Sequence, residues 1–153
     1  MLTLHGISKH FAGHGAQSIV ALEALSLTFT RGSFVVIVGS NGSGKSTLLN
    51  LIAGSETADE GSIILDEENI TGQPEHLRAE HIGRVFQDPF RGTVPDMTVE
   101  ENLALAACRG KSFDLGFALS RELRTEIHDR LASLGIGLEN SMTQPIATLS
   151  GGQ

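Results

Sequence analysis

The sequence predicts an α/β domain in which a β-rich half carries a glycine-rich loop and a helical half follows it. Three observations support this class. The loop Gly39–Thr47 lies between a continuous apolar run and a helix-like run, Leu48–Ala53. Apolar and polar residues alternate in Leu2–Ser8 and Ile19–Phe29, which is the period of a strand. From about residue 90 onward, apolar residues recur at helical spacing instead.

The β-rich half is predicted to contain several further elements. The apolar run Phe34–Val38 is expected to be a strand that leads into the loop, and Gly54 is expected to end the helix that follows the loop. Ser62–Leu65 reads as a short strand, with a turn at the acidic residues that follow it. Pro74 suits the first turn of a short helix reaching about Glu80. A last strand is predicted at Gly83–Phe86.

The helical half carries clear start and stop signals. Thr98 and Glu101 have the spacing of a capping box, so a helix should begin there and run to about Arg109, ending at Gly110. Ser120 can cap a second helix that Gly135 terminates. One apolar stripe is expected along that helix: Leu123, Ile127, Leu131 and Leu134.

The loop GSNGSGKST matches the pattern GxxxxGK followed by Ser or Thr, in the strand–loop–helix context that a phosphate site requires. Gly39, Gly42 and Gly44 are expected to take positive φ angles, with no Cβ to hold phosphate oxygens away. Backbone N–H groups then converge at the positive end of a helix dipole. Lys45 supplies a cation and Ser46 a hydroxyl for Mg²⁺. The predicted nucleotide contacts are Gly39, Ser40, Asn41, Gly42, Ser43, Gly44, Lys45, Ser46 and Thr47.

Composition narrows the function classes. The 153 residues amount to one domain, and 40% hydrophobic with 19% charged residues describe an ordinary soluble protein. The net charge of −7 argues against non-specific binding to nucleic acid or anionic membranes. Cys108 is the single cysteine, so an internal disulfide is excluded and a reducing cytoplasm fits. No apolar run approaches the roughly 18 residues that cross a bilayer, so a membrane role would go through a partner.

A second motif lies at the end of the sequence, in Leu149, Ser150, Gly151, Gly152 and Gln153. LSGG has the character of a helix N-terminus, with Ser150 as the cap and bare glycine amides beside it. Together with GSNGSGKST and the stretch VFQDP at Val85–Pro89, this motif resembles the nucleotide-binding subunit of an ABC transporter, in which the three are Walker A, the Q-loop and the signature. The resemblance covers nearly the whole chain.

The resemblance implies a fold and a mechanism. It implies an incomplete cassette, with a P-loop core plus antiparallel β-subdomain at 1–89, a helical subdomain at 90–148 and the signature at 149–153. The implied cofactors are ATP and Mg²⁺. Lys45 would hold the β- and γ-phosphates and act in catalysis with Gln87, while Ser46 and Gln87 would ligate Mg²⁺. Ser150 and Gly152 would contact ATP held by a second, head-to-tail subunit.

Phe11 falls where the family usually has an aromatic residue stacked on adenine. A phenylalanine ring offers a face for such stacking. The alternative is that Phe11 is only a packing residue, since a phenylalanine after a strand is often part of a core.

The stretch Ile63–Glu67 resembles a Walker B strand, an apolar run followed by Asp and Glu. We reject that interpretation because it precedes the Q-loop and the signature, and we expect Asp66 and Glu67 to be solvated turn residues. The family's Walker B pair, D-loop and switch histidine then have no counterpart in the sequence. We therefore expect the chain to be a piece of a longer subunit that does not hydrolyse ATP alone.

The predicted function is coupling of ATP binding and hydrolysis to solute transport, with import favoured over export. The expected partners are a second nucleotide-binding subunit, a transmembrane permease and a solute-binding protein, without nucleic acid. The expected location is the cytoplasmic face of the cell membrane. Two alternatives stay open: a soluble ABC-type ATPase acting in translation or DNA repair, and a module that binds ATP without hydrolysing it.

Overall fold

The computed structural model describes residues 1–13, 18–109 and 119–149. The predicted helix terminator Gly110 and the signature residues Ser150, Gly151, Gly152 and Gln153 lie outside the described residues. The chain divides into two units, Met1–Ile82 and Gly83–Gln153.

The first unit contains a four-stranded antiparallel sheet with the strand order β2-β1-β3-β4. The strands are β1 (Leu2–Ala12), β2 (Ser18–Phe29), β3 (Glu60–Leu65) and β4 (Glu68–Asn69). The two strands predicted from the alternating sequence are therefore confirmed, and both extend further than predicted. β3 and β4 are joined by a two-residue turn at Asp66 and Glu67, both with positive φ (45° and 75°).

The β1–β2 pairing contains register shifts that determine which residues meet at its far end. The shifts fall between Leu4 and Ile7 and again between Ile7 and His10. Two serines of the strands bridge this irregular part: Ser8 Oγ accepts from the Ala24 N–H at 3.0 Å, and Ser26 Oγ accepts from the Gly6 N–H at 2.9 Å. Beyond the shifts, Phe11 is paired with Ile19.

One face of the sheet packs against helix α1 (Lys45–Ala53), which Gly54 terminates in the left-handed conformation. Six buried apolar side chains of this unit form one core: Leu4, Ile7, Leu48, Leu51, Ile63 and Ile70. A short helix is present where one was predicted: α2 (Glu75–Arg78) begins directly after Pro74, which is its N-cap, and it ends two residues before the predicted Glu80.

The buried guanidinium of Arg78 holds the C-terminal end of α1. It donates to the carbonyl oxygens of Leu51 at 2.6 Å and Ile52 at 3.0 Å, and to those of Thr71 and Gln73 at 2.8 and 2.9 Å. Burial lowers the pKa of this guanidinium. A cation at the negative end of a helix dipole is favourable, so Arg78 fixes α1 to the segment after β4.

Two of the predicted strands are absent from the described structure. Phe34–Val38 and Gly83–Phe86 form no strand, and all five side chains of the first run are exposed, Phe34 to 92%. A strand exists only if its backbone groups find a ladder partner, and none of the strands described here pairs with either run. A continuous apolar run is typical of strands covered on both faces. These predictions were wrong for the structure as described.

The second unit is helical. It contains a 3₁₀ turn at Pro89–Gly92, α3 (Val99–Ala107), α4 (Arg121–Leu134) and two further 3₁₀ turns at Leu138–Ser141 and Ile146–Thr148. The predicted capping box is present: Thr98 Oγ1 accepts from the Glu101 N–H while the Glu101 carboxylate accepts from the Thr98 N–H. Ser120 caps α4, and Gly135 ends it with φ 67°.

This unit has its own apolar core: Val99, Ile127, Leu131, Leu138 and Met142. Leu134, predicted on the same stripe, is 63% exposed because α4 ends at that residue and the chain turns away at Gly135. A bidentate ion pair between Glu100 of α3 and Arg124 of α4, at 2.7 and 2.9 Å, links the two helices.

Within residues 1–13, 18–109 and 119–149, no helix has the length and apolar character needed to span a bilayer.

Candidate nucleotide site

The glycine-rich loop adopts its bend through two of its three predicted glycines. Gly42 and Gly44 have φ of 82° and 81°, in the left-handed region. Gly39 is not among the positive-φ residues, so the prediction was wrong there. A glycine is required at position 39 for a steric reason instead. A Cβ there would lie 2.6 Å from Ser43 Oγ, because the loop folds back over its own first residue.

Gly44 also marks where the loop rests on the sheet. A Cβ at this position would lie 2.5 Å from the Ala21 carbonyl oxygen and 2.9 Å from Leu22 Cδ2. The loop backbone therefore sits directly against β2, and only glycine allows that approach. The position of the loop follows from the sheet as well as from α1.

The N-terminus of α1 presents backbone donors without a side-chain cap. Gly44 is the N-cap residue and makes no capping hydrogen bond. The first turn of a helix leaves its N–H groups without intrahelical acceptors, and the helix dipole makes this end positive. The segment Lys45–Thr47 thus offers three amides suited to an anion.

Lys45 folds over the loop that it follows. Its Nζ donates to the carbonyl oxygens of Gly39 at 2.9 Å and Ser40 at 2.6 Å, and lies 3.3 Å from Ser43 Oγ. These contacts hold the ammonium beside the loop amides. A cation and a set of oriented N–H groups then share one small volume, which is the electrostatic requirement for binding several phosphate oxygens.

A cavity of about 360 Å³ opens over the loop. It is lined by Phe11, Ile19, Val20, Ala21, Asn41, Gly42, Ser43, Gly44, Lys45, Ser46 and Thr47. Phe11 and the loop, 30 or so positions apart in the sequence, therefore border one pocket. Gly39 and Ser40 take part through the carbonyl oxygens that hold Lys45.

Three lining residues were not predicted from the sequence: Ile19, Val20 and Ala21. Ile19 and Val20 are apolar yet 59% and 52% exposed. Their presence beside Phe11 follows from the β1–β2 register, in which Phe11 pairs with Ile19. The alternating pattern could have indicated a strand partner for Phe11, but the register shifts made the partner unpredictable.

Phe11 itself is half-buried and lies outside the apolar core of its unit. Its side chain borders the cavity, and the Lys9 ammonium lies 5.4 Å from the ring centroid. The packing alternative would place Phe11 among the core side chains, and the structure does not do so.

The remaining predicted residues belong to the second unit. Gln87 is exposed, in a stretch without regular structure just before the 3₁₀ turn at Pro89–Gly92. Leu149 follows the last 3₁₀ turn and packs against the core of that unit. The other four signature residues lie outside the described residues.

The two acidic residues of the rejected Walker B interpretation lie in the turn of the β3–β4 hairpin. Asp66 and Glu67 occupy its exposed turn. The Arg31 guanidinium beside Asp66, and then the N-terminal ammonium, lower the pKa of that carboxyl to about 2. Across the described parts of the chain, no group of three or more His, Cys, Asp or Glu side chains could hold a metal ion by itself.

Comparison with known proteins agrees with this geometry. The family model described as "ABC transporter" matches residues 22–153. The "Tyrosine transport ATP-binding protein" of Clostridioides difficile is 40% identical over 153 residues, which cover 100% of this chain and 61% of that protein. The "Spermidine/putrescine import ATP-binding protein PotA" of Bacillus cereus is 37% identical, covering 100% of this chain and 42% of that one.

A third relative has a different named task. The "Lipoprotein-releasing system ATP-binding protein LolD 1" of Caulobacter vibrioides is 35% identical, over 100% of this chain and 63% of that protein. The chain thus spans roughly two-fifths to just under two-thirds of the length of these curated relatives.

Solved structures show the same architecture. A dimeric ATP-binding cassette in a post-hydrolysis state, bound to ADP and Pi, superposes with a TM-score of 0.80 at 30% identity, covering 100% of this chain and 65% of that one. A nucleotide-free cassette from an ABC transporter gives a TM-score of 0.74 at 30% identity, covering 99% and 60%. The predicted fold class is confirmed, and the chain belongs to the ABC transporter family.

Proposed function

We propose that this chain is the ATP-binding part of a transport subunit, in which MgATP occupies the cavity between Phe11 and the glycine-rich loop. The single observation that carries the proposal is that cavity. It brings apolar and aromatic side chains, Phe11 with Ile19 and Val20, into the same cavity as Lys45 and the residues of the loop. A nucleoside triphosphate has the same division into a flat base and an anionic tail.

The phosphate end of the proposed site rests on charge and hydrogen bonding. The net charge of the chain is −7, so the attraction for a polyanion has to come from local groups. Lys45 and the uncapped first turn of α1 supply it. Each hydrogen bond between such donors and a charged phosphate contributes about 1.5–3 kcal/mol.

Mg²⁺ would be held together with the phosphates. Ser46, in the first turn of α1, borders the cavity, and its hydroxyl makes no hydrogen bond within the described residues. Hydroxyl and amide oxygens suit a hard cation that keeps several waters and phosphate oxygens. Ser46 would hold the ion, with the Gln87 side-chain oxygen as the second protein ligand. When bound, the ion neutralises charge on the phosphates.

The base end of the proposed site is the Phe11 ring. Stacking of a base on an aromatic side chain contributes roughly 1–3 kcal/mol. Ile19 and Val20 add apolar surface beside the ring. None of these groups can hydrogen-bond to the base edge through its side chain, so the pocket favours any flat aromatic base of suitable size.

Hydrolysis in this proposal requires a second cassette. The signature Leu149–Gln153 would act on ATP held by a head-to-tail partner, with Ser150 and Gly152 at the γ-phosphate. The solved dimeric cassette bound to ADP and Pi supports such an arrangement. Lys45 and Gln87 would act in the first subunit, where positioning and charge stabilisation carry most of phosphoryl transfer.

The chain alone should release phosphate slowly. The acidic pair Asp66–Glu67 lies in a hairpin turn, where Arg31 holds Asp66. It is therefore not free to orient an attacking water. Lysine-dependent phosphate release by this chain, lost in Asp66→Asn and Glu67→Gln, would show that the pair is catalytic.

The transport role extends the proposal to partners. Two of the relatives are named for tyrosine transport and spermidine/putrescine import. We therefore favour import, with a permease through which the subunit sits at the cytoplasmic face of the membrane and a solute-binding protein outside. Co-purification with a permease, and ATP-dependent uptake by vesicles carrying both, would support it. Association with ribosomes or DNA instead would favour the soluble ATPase.

The nucleotide site is tested by titration calorimetry with MgATP on the purified protein. Lys45→Ala should weaken binding tenfold to a hundredfold, because the loop loses its cation. Arg31→Ala is the matched control, since it removes an equally positive side chain that lies outside the cavity. Equal affinity for Lys45→Ala and the unaltered protein would remove the phosphate-site assignment.

A further inference from the structure

The side chain of Lys9 lies close to the ring that forms the base end of the proposed site. Lys9 and Phe11 are two residues apart on β1, so their side chains leave the same face of the strand. The Lys9 Nζ is 5.4 Å from the Phe11 ring centroid, within the range of a cation–π contact. The Lys9 side chain is only 13% exposed, which strengthens such a contact.

Two acidic residues hold the Lys9 ammonium over the ring. Asp59 Oδ1 lies 3.3 Å from Nζ, and Glu56 Oε2 lies 3.9 Å from it. Both belong to the segment that follows α1. The other Asp59 oxygen accepts from the His10 N–H at 2.7 Å and lies 3.5 Å from His10 Nδ1. The His10 N–H, and next the Lys9 side chain, lower the pKa of the Asp59 carboxyl, so it is charged at neutral pH.

The Lys9 ammonium contacts the ring without being part of the cavity wall. Phe11 borders the cavity, whereas Lys9 is not among the described residues that line it. A ring has two faces, so a fixed cation at one leaves the other for a ligand. The cation also draws π-electron density toward itself, which makes the free face a better partner for an electron-rich purine.

We propose that Lys9 is a positioning residue for nucleotide binding: held by Asp59 and Glu56, it fixes and polarises the Phe11 ring so that a purine base stacks on the opposite face. This inference rests on the proposed function, because it needs Phe11 to be the base platform. Through Asp59 and Glu56 it also ties that platform to the segment that follows the phosphate-binding helix.

The test compares two ligands in each variant, MgATP and magnesium tripolyphosphate, the second measured by competition with ATP. Tripolyphosphate has the anionic tail without the base. Lys9→Met keeps most of the apolar stem and removes the charge, so it should weaken ATP about threefold to tenfold and leave tripolyphosphate unchanged. Lys9→Arg, which keeps a cation, should restore most of the ATP affinity. The ratio of the two affinities cancels any loss of folded protein.

Two further variants separate the possible failures. Arg31→Met removes a cation that lies outside the cavity, so it should leave the affinity for both ligands unchanged. Phe11→Ala should weaken ATP alone; if it does not, the base platform of the proposed function is wrong and the role of Lys9 is wrong with it. If Phe11→Ala weakens ATP but Lys9→Met does not, only the inference about Lys9 is overturned. Equal weakening of both ligands in Lys9→Met would likewise overturn it, because the effect would then be general.

Discussion

The antiparallel sheet and the run Phe34–Val38 both contain many apolar residues, but only the sheet forms strands. β1, β2 and β3 each pair with a neighbouring strand and contribute side chains to the core that they share with α1. The run Phe34–Val38 precedes the loop directly, yet its five side chains are exposed. Apolar content by itself therefore does not make a strand; a partner for the backbone does.

The comparison also shows what holds the phosphate loop in place. Although the loop follows Phe34–Val38 in the sequence, Gly44 of the loop packs against β2. Gly44 rests against Ala21 and Leu22 of β2, and α1 packs its Leu48 and Leu51 into the sheet core. The position of the loop is therefore set by β2 and α1, and not by the run that precedes it. The predictions below test this difference.

The largest effect should come from the sheet core. Leu51 is fully buried between α1 and the sheet, so Leu51→Ala should lower the free energy of unfolding by about 3–5 kcal/mol, from lost transfer energy and a cavity. The matched control is Val38→Ala, since Val38 is 84% exposed. This substitution should change the free energy of unfolding by less than about 0.5 kcal/mol. Urea unfolding followed by circular dichroism measures both. A comparable loss in Val38→Ala would show that the run packs in solution.

A smaller effect should come from the contact between loop and sheet. Gly44→Ala and Gly42→Ala both place a side chain at positive φ, which costs about 1–2 kcal/mol. Only position 44 meets the β2 backbone; nothing lies within 4 Å of a Cβ at position 42. Overpacking at position 44 should therefore add about 1–3 kcal/mol.

Denaturant unfolding of the two glycine variants measures the difference between their free energies of unfolding. Gly44→Ala should also weaken MgATP more than Gly42→Ala does, because the loop must move off β2 to accommodate the new side chain. Equal stability of the two variants would mean that the loop does not rest on β2.

The smallest effect should come from the acidic turn that holds Arg31, next to the exposed run. Asp66 has its pKa lowered to about 2, first by the hydrogen bond from Arg31. A carboxyl whose pKa is lowered on folding stabilises the protein above its unfolded value near 3.8, and that contribution is lost as the pH falls toward 2.

Acid unfolding of Asp66→Asn beside the unaltered protein tests this linkage. The two stabilities should differ at pH 5 and converge between about pH 4 and pH 2. Because the pair is exposed, the difference should be small. A difference that persists below pH 2 would show that Asp66 acts through something other than its charge.

Much of the fold follows from short-range signals in the sequence. The alternation in β1 and β2, the capping box at Thr98 and Glu101, and the Ser120 cap with the Gly135 terminator each specify an element by local chemistry. The loop pattern likewise located Lys45 and the first turn of α1. Each of these depends on residues only a few positions apart.

What the sequence did not predict depends on distant partners. Whether Phe34–Val38 and Gly83–Phe86 form strands is decided by a neighbouring backbone and not by their own composition. The presence of Ile19, Val20 and Ala21 in the cavity follows from register shifts between β1 and β2. Position 39 requires a glycine because Ser43 approaches it closely, and the bend of the loop creates that contact.

The central claim is that one cavity, held by β2 and α1, binds a nucleotide by its base and its phosphates together. The most direct test is a calorimetric series on the unaltered protein with ATP, ADP and AMP, each in excess Mg²⁺. Each further phosphate gains charge-assisted hydrogen bonds from Lys45 and the loop amides, so AMP should bind at least about tenfold more weakly than ATP. If AMP binds as tightly as ATP, the loop does not hold the phosphates and the account is wrong.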